Sequence, residues 1–320
     1  MINANKPDRW NDDIRLSVFQ YNEWFMDFAP QTYQSVLGDC LDSVENLFKL
    51  SSNLRALTPE LLIDNPSALM TLRMFCAPPI ARDRLAGLAD VPRTQVKAME
   101  EGRLPGRGKQ QQRFIETPIP SLLAVIDRLL DRQLISWLGY EQDPFAMDLY
   151  VAKHVVADRL CGATSDPVIR NAQEARQLAV IASYLDPKGY RLIDDASIGA
   201  FDMPHGTYAY HKNVRMYRNA LDDSDGYVNT PVDVVIMPKD PSIDKPLLAE
   251  CKSAGDFVNT NKRRKEEDTK VTQLRATYGD ITLYLFLCGY FDSTYLGYEA
   301  ANHMDWIWEH RVEDFMEVGI

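Results

Sequence analysis

The sequence contains few cysteines and no long run of apolar residues. Its five cysteines are scattered through 320 residues without a Cys-x-x-Cys pair, so neither a disulfide scaffold nor a cysteine-based zinc site is expected. The longest nearly unbroken apolar run, residues 281–291, is far shorter than the roughly 20 residues that span a bilayer. The polar first residues show no secretory signal. We therefore expect a cytoplasmic protein with no membrane partner.

The chain is also short of positive charge. Its formal net charge is −11 at pH 7, which by itself argues against nucleic acid or an anionic membrane as a partner. The charges are unevenly distributed, however, because residues 81–113 and 252–275 each contain more Lys and Arg than Asp and Glu. These two basic segments keep DNA open as a partner.

Two regions of different character follow each other along the chain. In the first half, apolar residues recur at helical spacing, which predicts an all-α region. A Gly, Ser, Asp and Pro cluster at 161–167 marks the expected boundary, which predicts domains at 1–165 and 166–320. In the second half, helices alternate with β-rich segments, which predicts an α/β fold with a mixed sheet flanked by helices. The expected elements are helices at 168–185 and 260–278 and strands at 190–193, 207–217, 228–237, 247–252 and 281–288.

Two neighbouring predicted strands contain acidic residues and a lysine. Asp233 interrupts the first strand, which is otherwise apolar, and Glu250 and Lys252 end the second. Because side chains alternate along a strand, Glu250 and Lys252 share one face. Charges in an apolar strand are unfavourable unless they have partners or a metal ion. A structural salt bridge between Lys252 and one of the acids is the alternative interpretation.

This arrangement suits the hydrolysis of a phosphodiester. If the two strands pair, Asp233 and Glu250 can bind a hard divalent cation such as Mg²⁺, with the backbone carbonyl of Cys251 as a further ligand. The cation would polarise the phosphate and activate a water molecule, while Lys252 orients that water and offsets charge in the transition state. We therefore expect Asp233, Glu250 and Lys252 to be the catalytic residues.

The same residues carry a resemblance to a known superfamily. Pro231-x-Asp233 followed by Glu250-x-Lys252 resembles the PD-(D/E)XK nuclease pattern, with Val232 as a departure between the proline and the aspartate. The similarity touches both ends of the chain and is strongest over roughly residues 200–310. The segments that resemble the XamI family of type II restriction endonucleases are 6–10, 21–25, 249–267 and 287–292.

The resemblance implies a fold, an activity and a set of partners. The fold would be a PD-(D/E)XK restriction-endonuclease-like sheet, with an all-α N-terminal region that serves DNA recognition or dimerisation. The activity would be Mg²⁺-dependent double-strand cleavage of DNA at a short specific site. Cutting both strands of a palindromic site requires two active sites, so we expect a homodimer. A DNA methyltransferase would be the functional partner.

Residues outside the strands are candidates for binding DNA. Residues 82–100 resemble a helix-turn-helix, and a basic loop at 103–113 follows directly. A second basic run occupies 262–265, although Glu266 and Glu267 would form i,i+4 pairs with it on an ordinary solvated helix. The residues expected to face inward on the two helices are Leu85, Leu88, Val96 and Met99. The candidate DNA-binding residues are Arg93, Thr94, Gln95, Lys97, Arg103, Arg107, Lys109, Lys262, Arg263 and Arg264.

One further acid and the five histidines are considered as possible ligands of a cation. Glu174, on the helix before the sheet, is a candidate accessory acid near the cation, and an exposed helix glutamate is the alternative interpretation. The five histidines show no zinc-type spacing, so surface or core positions suffice for them.

Two other functions are compatible with these residues. A repair or junction nuclease would have the same core but select branched DNA, so digestion of plain plasmid into discrete bands distinguishes the two enzymes. A non-catalytic helix-turn-helix regulator would bind DNA through residues 82–100, but the intact Asp233, Glu250 and Lys252 argue against it.

Overall fold

A computed structural model describes residues 1–257 and 260–320, without the side chains of 222–225 and 260–266. Within this part of the chain, no helix is both long enough and apolar enough to cross a membrane. Short 3₁₀ segments occur at Ser136–Gly139 and Glu309–Val318. The α-helices are α1 (Trp10–Leu50), α2 (Pro59–Asp64), α3 (Ala68–Met74), α4 (Arg82–Ala89), α5 (Arg93–Glu100), α6 (Lys109–Glu116), α7 (Pro118–Leu129), α8 (Ala146–Leu185), α9 (Thr260–Tyr278) and α10 (Ser293–Ala301).

Six strands form one sheet in which chain order and spatial order agree. The strands are β1 (Arg191–Leu192), β2 (Thr207–Asn219), β3 (Asp222–Met237), β4 (Leu247–Ala254), β5 (Leu283–Gly289) and β6 (Asp305–Trp308). The β1–β2 pair is parallel, β2, β3 and β4 are antiparallel neighbours, and β4, β5 and β6 are parallel neighbours. The sheet is therefore mixed, as predicted.

The central strands are apolar because both faces of the sheet are covered. Along β5, Leu285 packs in one hydrophobic core and its neighbour Phe286 packs in the other. Val271 of α9 belongs to the first core, and Ile181 of α8 belongs to the second. A strand buried on both faces has a continuous apolar run instead of an alternating one. The expected α/β fold with flanking helices is confirmed.

The chain divides into two compact units, residues 29–169 and residues 1–28 with 170–320. The first unit is helical and has its own core, to which α4, α5 and α7 contribute. The second unit contains the sheet. An all-α region in the first half of the chain and an α/β region in the second half agree with the sequence-based expectation.

The boundaries of these units differ from the expected division after residue 165. The first 28 residues belong with the sheet, because the backbone amides of Ile2, Asn3 and Ala4 all donate to the carboxylate of Asp305 in β6. The cluster at 161–167 does not break the chain either, since α8 continues through it with Pro167 inside the helix. Helical hydrogen bonding on both sides of the cluster outweighs its local turn preference.

Candidate active site

The two acids predicted from the sequence lie close together inside β3 and β4, where the ladder between these strands stops. The antiparallel ladder pairs Val234 with Ala249, and just beyond that pair the backbone amide of Cys251 donates to Asp233 Oδ2 at 2.9 Å. The strands are thus joined here through a side chain in place of a further backbone rung. Asp233 is thereby held beside the Glu250–Lys252 end of β4.

Glu250 is buried, with 7% of its surface exposed, and both of its carboxylate oxygens contact lysines. Lys252 Nζ lies 3.3 Å from Oε2, and Lys270 Nζ of α9 contacts Oε1. Lys270 also donates to the backbone carbonyl of Pro231 at 2.5 Å, so it connects α9 to both β3 and β4. The carboxylate charge of Glu250 is therefore compensated from two sides.

A second buried glutamate completes this charge cluster. Glu267 of α9 lies with Oε1 3.9 Å from Lys252 Nζ, and its Oε2 accepts a hydrogen bond from the Tyr295 hydroxyl at 2.9 Å. Burial lowers the pKa of Lys252, but Glu250, Glu267 and Asp233 outweigh that effect, so the pKa is raised overall. Lys252 therefore remains an ammonium at neutral pH.

The backbone that carries Lys252 is fixed from α8. Gln177 Nε2 donates to the carbonyl of Phe286 at 2.9 Å and to the carbonyl of Lys252 at 3.4 Å. Its Oε1 accepts from the Ser253 hydroxyl at 3.1 Å. One buried amide side chain thus connects α8 with both β4 and β5. Sequence reasoning did not select Gln177, because a helical glutamine carries no signal of what it will contact.

Two other side chains, from α8 and β2, lie beside Asp233. Ligand atoms of Glu174 (α8), His211 (β2) and Asp233 (β3) all lie within 4.8 Å of one another. His211 Nδ1 is 3.6 Å from Glu174 Oε1, and these two side chains are 55% and 42% exposed, respectively. The structure thus brings the candidate accessory acid to Asp233, together with a histidine for which a surface or core role had been expected.

The electrostatics of Asp233 differ from those of Lys252. Burial raises the pKa of Asp233, and the nearby charges of Glu250 and Glu174 raise it further, against the Cys251 amide and Lys252. Burial also raises the pKa of the Cys251 thiol well above its usual range, so the thiol is uncharged at neutral pH and only the Cys251 carbonyl is a plausible hard ligand. Carboxylate and carbonyl oxygens are the donors that Mg²⁺ prefers, so the residues present fit this ion.

The predicted helix-turn-helix is formed by α4 and α5. Leu85, Val96 and Met99 are buried as expected, but Leu88 is 58% exposed. Ala86 and Ala89 are buried on α4 in its place, because the inward face of the helix contains the i+1 and i+4 positions from Leu85 and not the i+3 position. The two helices are held by one acid, since the Glu100 carboxylate is ion-paired with both Arg73 of α3 and Arg82 of α4.

The candidate DNA-binding residues of the helical unit lie at its surface. Arg93 is paired with Asp83 at 2.8 Å, whereas Lys97 and Arg103 are both paired with Glu101. Lys109 begins α6 and is exposed. Residues that line one open cavity are Thr94, Gln95, Arg103, Arg107 and Gln111. The side chains of Lys262, Arg263 and Arg264 lie outside the described residues, so their predicted contacts remain predictions.

Comparisons with known proteins show which family the chain resembles. The family model of the XamI restriction endonuclease matches residues 52–308. The chain is also 48% identical over 324 aligned positions to the type II restriction enzyme SalI of Streptomyces albus G, and the alignment covers the whole of both chains. No solved structure gives a significant match.

Proposed function

Since this chain belongs to the XamI restriction endonuclease family and is a type II site-specific deoxyribonuclease, we propose that its cuts are Mg²⁺-dependent, double-stranded and made at a short palindromic site. The observation that supports the proposal is that Asp233, Glu250 and Lys252 lie close together where the ladder between two paired strands stops. A buried glutamate and a partly buried aspartate beside a partly buried ammonium are a costly arrangement that catalysis would explain.

We assign the cation to Asp233, Glu250 and the backbone carbonyl of Cys251, with Glu174 as an accessory acid. When bound, Mg²⁺ would polarise the scissile phosphate and lower the pKa of a water molecule. Asp233 contributes a carboxylate that the Cys251 amide already orients. Glu250 is held by Lys252 and Lys270, so its use as a ligand requires Lys270 to release Oε1.

Lys252 is assigned the positive charge that acts on the water and on the transition state. Its ammonium is permanently charged and lies between two buried carboxylates. A fixed positive charge in this position orients the attacking water and stabilises the additional negative charge of the phosphorane-like transition state. Gln177 keeps the Lys252 backbone in place through the hydrogen bond to its carbonyl, so the ammonium needs little reorganisation when DNA binds.

Sequence recognition is proposed for the helical unit. The N-terminal turn of α5 would offer Arg93, Thr94 and Gln95 to base edges, as the second helix of a helix-turn-helix does. The basic segment 103–113, predicted as a loop, is irregular only up to residue 108 and continues as the first turns of α6. This segment would contact phosphates and set the register on the duplex. The full proposed DNA-contact set is Arg93, Thr94, Gln95, Lys97, Arg103, Arg107, Lys109, Lys262, Arg263 and Arg264.

The biological setting follows from the chemistry. A palindromic duplex presents two equivalent scissile bonds related by a two-fold axis, so a homodimer is the proposed cutting species. Because such cleavage in the cytoplasm would also destroy host DNA, a DNA methyltransferase that protects the same site is the proposed partner.

The test is Lys252→Ala assayed on a sequenced plasmid with Mg²⁺ and with EDTA. The wild-type enzyme is expected to give discrete bands with Mg²⁺ and none with EDTA, and the variant is expected to bind the site without cutting it. Full cleavage by Lys252→Ala would overturn the assignment. Wild-type cutting of branched DNA alone would indicate a structure-selective nuclease.

A further inference from the structure

We propose that His211 is a ligand of the bound divalent cation, together with Asp233 and Glu174, so that the site contains one imidazole nitrogen. This inference rests on the proposed function, because it concerns the cation of that same active site. Its geometric basis is that three elements, α8, β2 and β3, place one ligand atom each within 4.8 Å of the others.

The distribution of charge also points to this side of the site. Glu250 has two lysine partners, whereas among the described residues neither Asp233 nor Glu174 has a lysine or arginine within salt-bridge distance. Two carboxylates at such separations repel each other unless a positive charge lies between them. The uncompensated pair is therefore the stronger attractor for a divalent cation.

The backbone of His211 sets its side chain apart from a regular strand. The β2–β3 ladder pairs Tyr210 with Val234 and Lys212 with Val232, and His211 between them has a φ of 48°. A left-handed residue inside a strand turns its side chain away from the regular alternation. In this case the turn leaves the imidazole next to Glu174 of α8.

A nitrogen ligand changes which cations the site prefers. Imidazole suits borderline ions such as Mn²⁺, Co²⁺ and Zn²⁺ better than the oxygen-seeking Mg²⁺ and Ca²⁺. The site would therefore bind Mn²⁺ more tightly than a site made of carboxylates alone. The competing explanation is a simple ion pair between a protonated His211 and Glu174, in which the imidazole would not touch the cation.

Mn²⁺ binding to the full-length, DNA-free enzyme, followed by electron paramagnetic resonance, tests the proposal without relying on cleavage. We expect ¹⁴N coupling from one imidazole in the wild-type Mn²⁺ spectrum. His211→Asn keeps a residue that tolerates a positive φ. It should abolish the ¹⁴N coupling and weaken Mn²⁺ binding by roughly tenfold or more, while Ca²⁺ affinity, measured by calorimetry, changes less.

His303→Asn is the matched control, because His303 also has a positive φ, 58°, and is exposed. It should leave the Mn²⁺ spectrum and affinity unchanged. Persistent ¹⁴N coupling and unchanged Mn²⁺ affinity in His211→Asn would overturn the inference and support the simple ion pair. Asp233→Asn separates the two proposals: if it also leaves Mn²⁺ binding intact, the proposed cation site itself is wrong.

Discussion

The two sides of the candidate active site differ in how the charges of their acidic residues are balanced. On the β4 side, the buried Glu250 and Glu267 are matched by Lys252 and Lys270. On the β3 side, Asp233 and Glu174 are matched, within the described part of the chain, only by a histidine that is charged when protonated. Lysines therefore balance the carboxylate charges of the β4 side. Among the described residues, no lysine or arginine lies within ion-pair distance of the carboxylates of the β3 side.

This difference explains how one site can be both stable and reactive. A buried ion-pair cluster holds the strand ends and α9 together, because breaking it would leave unpaired charges in a dry environment. Beside this cluster, burial raises the pKa of Asp233, and the negative charges of Glu250 and then Glu174 raise it further, against the Cys251 amide and Lys252. Functional sites commonly retain such unfavourable groups because the ligand offsets them.

The largest expected effect comes from removing the charge of Asp233. Asp233→Asn should reduce DNA cleavage on the order of 10³-fold, because a charged cation ligand is lost. Thermal stability without divalent cation should stay equal or rise, because a carboxyl whose folded-state pKa is raised destabilises the fold when it is ionised. Plasmid digestion and thermal unfolding in EDTA measure the two effects. A lower unfolding temperature for Asp233→Asn than for the wild type would contradict the surplus of negative charge around Asp233.

Glu250→Gln should have the opposite effect on stability. With the carboxylate removed, the largely enclosed ammonium groups of Lys252 and Lys270, whose side chains are 23% and 14% exposed, lose their shared counter-charge, which should cost about 3 kcal/mol in the free energy of unfolding. Urea denaturation of Glu250→Gln and Asp233→Asn side by side measures the difference in the free energy of unfolding. If Glu250→Gln were as stable as Asp233→Asn, the two sides of the site would not differ as described.

Much of the β4 side could be predicted from the sequence, because its signals are local. Glu250 and Lys252 alternate with apolar residues on one short strand, and the predicted helix at 260–278 matches α9. Lys270 could not be selected in the same way, since it lies 18 positions beyond Lys252 and meets Glu250 only through the packing of α9 on the sheet.

The β3 side was harder to predict, because its members come from three distant elements. The spacing of residues in α8 places Glu174 on a helix, but it does not show which neighbour the side chain will contact. His211 was missed because strand periodicity assumes regular backbone, whereas its φ is 48°. The segments α10 and β6 were also absent from the prediction, although Trp306 and Trp308 are fully buried there.

Lys270→Met should destabilise the protein less than Glu250→Gln, by about 1–2 kcal/mol. Glu250 retains Lys252 as a counter-charge, so no carboxylate is left wholly unpaired. Lys245→Met is a matched control, because within the described part of the chain Lys245 donates to the backbone carbonyls of Tyr278 and Asp280 and has no carboxylate partner. A double variant with Glu250→Gln should lose less stability than the sum of the single losses. If the losses in the free energy of unfolding of the two single variants add up in the double variant, Lys270 and Glu250 do not belong to one charge cluster.

The smallest effect on stability is expected for an exposed ion pair in the helical unit. Arg93 and Asp83 are 2.8 Å apart with side chains 70% and 58% exposed, so Arg93→Ala should change the free energy of unfolding by no more than about 0.5 kcal/mol. The buried pairs would then owe their larger effects to burial and not to distance. If Arg93 contacts a base edge as proposed, its loss should weaken binding to the specific site by about 1–3 kcal/mol and relax specificity at that base pair. A stability loss as large as that of Lys270→Met would show that exposure does not separate the two kinds of pair.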